Sequence, residues 1–246
     1  MYPIYVKELT GFFSSLTGYL VIAVFLVVNS LFMWVFPGEL NIPESGYASL
    51  DTIFLISPWV FLFLVPAVTM RMLSEEKRLG TIELLFSRPL NEYRIVAGKF
   101  LAAVTLVLLS LLPLAVSYLT VWFTGNPSGN LDTGGTWGSM IGLFFLASVY
   151  ASIGLFTSSL TENQVIAFIV AVITCFLMFA GFDSLAYLPG LKQVDVLVMR
   201  LGINEHYRSL SRGVIDMGDI AYFLAVITIF TESTVLVLTS RKWRKG

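Results

Sequence analysis

Apolar residues run along this chain in long unbroken blocks, not in the alternation of a half-buried strand. Six blocks stand clear: Leu16–Phe36, Thr52–Leu73, Val96–Phe123, Trp137–Ser158, Val165–Leu185 and Ile220–Ser240. Each holds about the 20 residues that a helix needs to cross a bilayer core roughly 30 Å thick. The pattern predicts an all-α polytopic membrane protein with six transmembrane helices in one domain. Its third span is long enough to tilt or to project from the membrane. Pro58 and Pro66 in the second block and Pro113 in the third are expected to mark bends. The fourth block carries Gly138, Gly142, Ala147 and Ala151, small residues at spacing four that let helices approach closely.

Shorter patterns lie between and before the blocks. Along Met1–Ser15 and into Leu16, the residues Ile4, Leu9, Phe12, Phe13 and Leu16 fall near one helical face, with Lys7, Glu8 and Ser14 elsewhere. That distribution suits a short helix in the membrane interface. The first block is too long for the apolar region of a signal peptide and lacks a small-residue cleavage site, so it is expected to be a retained span. Residues Ala186–Gly218 form the longest hydrophilic connection. Inside it, Leu191–Leu201 is apolar but broken by Asp195 and Arg200, which suggests an interfacial or re-entrant helix.

Composition sharpens this picture. The chain has 246 residues, 57% hydrophobic and 13% charged, with a mean hydropathy of +0.83. A soluble domain has about 25% charged residues and could not hide so much apolar surface. Net charge is −1, but its distribution matters more. Six spans put both termini on one side. On that side fall eleven basic residues (Lys7, Arg71, Lys77, Arg78, Arg88, Arg94, Lys99, Arg241, Lys242, Arg244 and Lys245), against four on the other (Lys192, Arg200, Arg208 and Arg212). The excess of Lys and Arg predicts cytoplasmic termini. A single Cys excludes an internal disulfide, and Cys175 sits in an apolar run.

Motifs for catalysis are missing. A phosphate-binding loop needs Gly-Lys followed by Ser or Thr, and no lysine here precedes either residue. The Gly-x-Ser-x-Gly elbow is absent, and one histidine cannot form a His-Glu-x-x-His zinc motif. His206 reads as a hydrogen-bonded structural residue or a proton group. Glu232 falls inside the last apolar block, where a central charge costs about 2.5–3.5 kcal/mol on insertion scales. It is either a substrate- or proton-related site or a hydrogen-bonded tie between helices, with Thr231, Ser233 and Thr234 around it.

The most informative stretch joins the second and third blocks, Arg71 to Lys99, with its core at residues 74–90. Thr81 is suited to open a helix with Glu83 in its first turn. Ile82, Leu85 and Phe86 then make an apolar stripe, and Pro89 ends the turn. Such a helix fits a groove on another protein, or lies on the membrane surface. Here Glu76, Lys77, Gly80, Thr81, Glu83, Leu84, Leu85 and Pro89 together resemble the signature loop of type-2 ABC exporter permeases. The likeness extends to Lys7-Glu8-Leu9 with Phe12-Phe13, and to the run from His206 through Leu224. In that last run the chain is similar to the permease subunits associated with gliding motility.

The resemblance implies a non-catalytic, membrane-spanning subunit in the bacterial cytoplasmic (inner) membrane. Its partners would be a separately encoded ABC ATPase and a second permease copy or paralogue, with an accessory extracytoplasmic protein as a further candidate and no nucleic acid. No cofactor is expected on this chain; ATP and Mg would sit on the ATPase. The coupling residues would be Glu75, Glu76, Lys77, Gly80, Thr81, Glu83, Leu84, Leu85 and Pro89. Two other classes remain open at this point: an ATP-independent carrier or channel that depends on Glu232, and a membrane scaffold.

Overall fold

The computed structural model describes residues 1–82, 91–186 and 195–245, and among these every regular element is helical. The helices are α1 (Tyr2–Ser14), α2 (Leu16–Trp34), α3 (Ile42–Ser45), α4 (Asp51–Arg78), α5 (Glu92–Leu111), α6 (Leu114–Thr124), α7 (Thr133–Leu160), α8 (Gln164–Phe176), α9 (Phe182–Ala186), α10 (Asp195–Met199), α11 (Ile203–Ser211) and α12 (Met217–Lys245). A π-helical turn, Leu177–Gly181, joins α8 to α9. Six stretches are long and apolar enough to cross a membrane: Leu16–Trp34, Asp51–Arg78, Glu92–Thr124, Thr133–Leu160, Gln164–Ala186 and Met217–Ser240. The chain is an all-helical polytopic membrane protein.

Local chemistry explains where the helices begin and break. Side chains of Asn91, Asp132 and Asn163 accept from the backbone N–H of Tyr93, Gly135 and Val165, capping α5, α7 and α8. Each cap satisfies a donor that has no carbonyl partner within the helix. Pro113 interrupts the third span between α5 and α6, as expected. Pro58 and Pro66 both lie within one continuous α4. Their side chains are buried against neighbouring helices, the setting in which a membrane helix tolerates proline.

At the centre stands α7, packed against α4, α5, α8, α11 and α12. Its small residues make this possible. A Cβ on Gly154 would collide with Thr69 of α4, and one on Gly138 with the Leu210 carbonyl of α11. Gly142 would press a Cβ to 3.1 Å from the Tyr207 ring. The spacing-four pattern therefore serves packing within the chain. Cys175 is fully buried in the same core. Between α2 and α4, Phe25 stacks on Phe61 at 4.4 Å, and the buried Ser57 hydroxyl donates to Asn29 at 3.0 Å.

The connection after α9 folds back onto this core. Helix α11 buries Ile203, Tyr207 and Leu210 along one side. The Tyr207 hydroxyl donates to the Phe54 carbonyl of α4 at 2.8 Å, and burial pushes its phenol above the usual range. The first part of the Leu191–Leu201 stretch lies outside the described residues. Two ends of the bundle result. One carries α1, the C-terminal ends of α4 and α7 and the start of α5; the other carries α3, the end of α6, the start of α7 and α11.

Candidate functional site

The stretch singled out by the sequence leaves the bundle at the end of α4, and the polar side chains of the core concentrate there. Lys99 of α5 is completely buried. Its Nζ lies 2.6 Å from Glu8 Oε1 of α1 and 3.0 Å from Glu76 Oε1 of α4. It also donates to the Met72 carbonyl at 2.6 Å. Lys7 closes the cluster from its exposed side, donating to Glu76 Oε1 at 2.8 Å with Glu8 Oε1 at 3.8 Å. Two lysines thus face two carboxylates from three helices, and the group is charge-balanced. Burial pulls the Lys7 ammonium down. The hydrogen bond from Glu76 and the charges of Glu76 and Glu8 outweigh it, so its pKa is raised above the ordinary 10.5.

The opposite flank of the same α4 turns is held by hydroxyls. Ser158 of α7 accepts the backbone N–H of Leu73 at 3.1 Å and of Ser74 at 3.0 Å, and donates to the Met70 carbonyl at 2.7 Å. In an α-helix Ser74 N–H would bond the Met70 carbonyl directly. The Ser158 hydroxyl therefore contacts both ends of that rung of α4 from the neighbouring helix. One turn further on, Lys77 donates to the Ser159 carbonyl of α7.

The signature residues divide into two groups. Glu76 and Lys77 are buried and point into the bundle, Glu76 to the lysines and Lys77 to α7. Glu75 is partly exposed, 4.0 Å from Arg78. Gly80 adopts φ +71°, the left-handed conformation that ends a helix and favours glycine. Thr81 and Ile82 resume a helical turn, and the Thr81 hydroxyl donates back to the Glu76 carbonyl at 3.3 Å. Glu83, Leu84, Leu85 and Pro89 lie outside the described residues, as does Phe86 of the apolar stripe. Between α1 and the end of α4 opens a cleft of about 420 Å3 lined by Lys7, Phe12, Arg71, Glu75, Glu76 and Thr81, among others.

The two other singled-out residues are engaged elsewhere. Glu232 of α12 faces Tyr93 in the first turn of α5 and interacts with its hydroxyl. The hydroxyls of Thr231, Ser233 and Thr234 donate to carbonyls of their own helix and not to Glu232. At the far end, His206 Nδ1 lies 2.7 Å from Asp219 Oδ1 and Nε2 lies 2.9 Å from the Arg200 carbonyl. Its ring stacks on Tyr222 at 3.8 Å. His206 therefore fastens α11 to the start of α12. Among the described residues no three His, Cys, Asp or Glu converge as a metal site.

Sequence reasoning missed Lys99, Glu8 and Ser158 as members of this site. Lys99 carried a signal: a lysine one turn inside an apolar block needs a carboxylate from another segment. Ser158 carried none, because a serine at the end of a span is ordinary until its neighbour is known.

Residues 39–194, well over half of the 246-residue chain, match the family model described as ABC-2 family transporter protein. No curated protein matches the chain.

Proposed function

The chain belongs to the ABC-2 transporter family, and from that premise we propose that it is the membrane-spanning permease subunit of an ATP-driven exporter. A separate ATPase supplies ATP hydrolysis, holding the nucleotide and Mg. Two permeases assemble side by side in a bacterial cytoplasmic membrane, with both termini in the cytoplasm. The exposed apolar faces of α2 and α8, including Leu20, Val24, Val27, Ile166, Ile169 and Ile173, offer surface for a second copy or paralogue. The observation that carries the reading is positional. Within the family match, the loop from Glu75 through Thr81 emerges where four helices are cross-tied by Lys99, Glu76, Ser158 and Lys77.

The mechanism follows from that arrangement. ATP binding draws two ATPase subunits together, and their movement presses on the loop around Thr81–Leu90. The last two turns of α4 receive the push. Lys99 and Glu76 pass it to α5 and α1, while Ser158 and Lys77 pass it to α7, the central helix. A tilt of α4, α5 and α7 together changes which side of the membrane the space between permeases faces.

The test leaves the members of the buried ion cluster unchanged. Reversing Glu76 would wreck the buried ion cluster and report only on folding. Glu75→Lys combined with Glu83→Lys leaves that cluster intact. The expected result is normal membrane abundance with loss of both ATPase co-purification and ATP-dependent transport in vesicles. Undiminished association and transport would refute the coupling role, and so would labelling of a cysteine placed at Glu75 from the extracytoplasmic side.

A further inference from the structure

The end of the bundle opposite the termini contains a second cavity, remote from the coupling site. It measures about 520 Å3 and opens between the connection from α2 to α4 and the connection from α6 to α7. That volume lies within the roughly 300–1,000 Å3 of small-molecule sites. Trp34 and Tyr47 contribute aromatic faces, Asn126 and Asn130 contribute amides, and Ile42 and Val121 contribute apolar surface.

Both walls are braced before any ligand arrives. On the first, Asn41 donates to the Phe36 carbonyl and accepts from Glu44 N–H, while Thr52 donates to the Leu40 carbonyl at 2.6 Å. On the second, Gly129 adopts φ +86° and its N–H returns to the Trp122 carbonyl at 3.0 Å. A Cβ there would meet the Trp122 indole at 3.1 Å, so the turn is folded flat on that ring. The walls touch at Gly125 and Ala48, where an added Cβ would stand 3.3 Å from the alanine methyl. A pocket already in shape does not lose loop entropy when it binds.

The polar inventory identifies the ligand class. Among the described residues, the Trp34 indole N–H, the Tyr47 hydroxyl and the Asn126 and Asn130 amides make no hydrogen bond within the protein, and no charged side chain lines the cavity. An interfacial aromatic belt accounts for a tryptophan at a span end. The two exposed amides on the facing loop are free to exchange water for a ligand. Unpaired neutral donors and acceptors disfavour a phosphate or carboxylate, which would seek a cation. Aromatic faces beside amides suit a molecule with apolar C–H faces and a hydroxyl rim. We propose that this cavity is a binding site for a neutral saccharide, free or as the headgroup of a glycolipid, on the face that the proposed orientation makes extracytoplasmic. A pyranose ring would lie against Trp34 or Tyr47, and each asparagine amide would pair with adjacent hydroxyls as donor and acceptor.

The test uses the full chain in nanodiscs, since glycosidic detergents would compete. Saturation-transfer NMR and tryptophan emission are followed with maltotriose and N,N′-diacetylchitobiose, and with glucuronate as the charged control. A parallel set of nanodiscs contains diglucosyl diacylglycerol. The expected result is saturable binding of a neutral saccharide or of the glycolipid headgroup, weakened at least tenfold by Tyr47→Ala and by Asn130→Ala. Both side chains are exposed, so these variants keep the fold. Binding to soluble saccharide identifies a free glycan as the source, and binding only in glycolipid discs identifies the headgroup. Absence of saturable binding in both arms, binding unchanged in both variants, or a preference for glucuronate overturns the proposal. None of these outcomes touches the ATPase coupling.

Discussion

The same two turns of α4, from Met70 to Lys77, are gripped on two flanks by different chemistry. Toward α1 and α5 the grip is ionic: Lys99 and Lys7 against Glu8 and Glu76. Toward α7 it is the Ser158 hydroxyl against the backbone of α4, followed one turn on by Lys77 donating to the Ser159 carbonyl. The ionic flank has no alternative partners, because Lys99 is completely buried and would be left with a lone charge. The hydroxyl flank does have one. If Ser158 withdraws, the N–H of Ser74 finds the Met70 carbonyl of its own helix. One flank is therefore a weld and the other a joint, and a helix that must move while staying attached needs both.

The weld should give the largest effect. Lys99→Met keeps the length and apolar stem but removes the buried charge, leaving Glu8 and Glu76 side by side with only the exposed Lys7 to pair them. Removing one partner from a buried ion cluster costs about 3–5 kcal/mol. A drop of many degrees in apparent unfolding temperature is expected in micelles. Adding Glu8→Gln and Glu76→Gln should recover part of it, since the stranded charges are then gone. If Lys99→Met unfolds within a degree or two of the parent, the cluster is not a weld.

The joint should behave in the opposite way. Ser158→Ala removes three hydrogen bonds, but α4 can close its own rung, so the net cost is about 1 kcal/mol. Coupling should suffer far more than stability: ATP hydrolysis by the partner continues while ATP-dependent transport falls severalfold. Ser158→Thr, which keeps the hydroxyl, should retain transport if the extra methyl is accommodated, and Ser158→Cys should not. Full transport by Ser158→Ala would show that α7 takes its motion from elsewhere.

This contrast also marks how far the sequence could be read. The six spans were legible because lipid demands long apolar blocks, and α4, α7 and α12 overrun those blocks only by polar turns at their ends. The interruption at Pro113 was legible too, whereas the continuity of α4 through Pro58 and Pro66 was not, because proline tolerance depends on neighbouring helices. At the site, Glu76 and Lys77 were picked out with Glu75 as one charged run. Only three-dimensional packing separates them: Glu76 and Lys77 turn inward and Glu75 outward. Lys99 and Glu8 are 91 residues apart in sequence, and no local pattern ties them. Glu232 was placed inside the last apolar block by the span assignment, but its neighbour Tyr93 of α5 could not be read from any local pattern.

The smallest effect belongs to Lys7, the exposed member of the weld. Its side chain is 62% exposed, so solvent screens its pairing with Glu76, and Lys7→Ala should cost no more than about 1 kcal/mol. Its pH dependence is nonetheless diagnostic. The Lys7 pKa is raised in the folded chain above the ordinary 10.5, against the pull of burial, by the hydrogen bond and charge of Glu76 and the charge of Glu8. Stability from such a group is fully present below the unfolded value and disappears as pH climbs through the folded one. The gap in unfolding temperature between the parent and Lys7→Ala should hold constant from about pH 6 to 9 and close only at pH values above 10.5. A gap that closed as pH rose through neutrality would mean that Lys7 loses its charge there, and its pairing with Glu76 and Glu8 would then not hold the ammonium protonated.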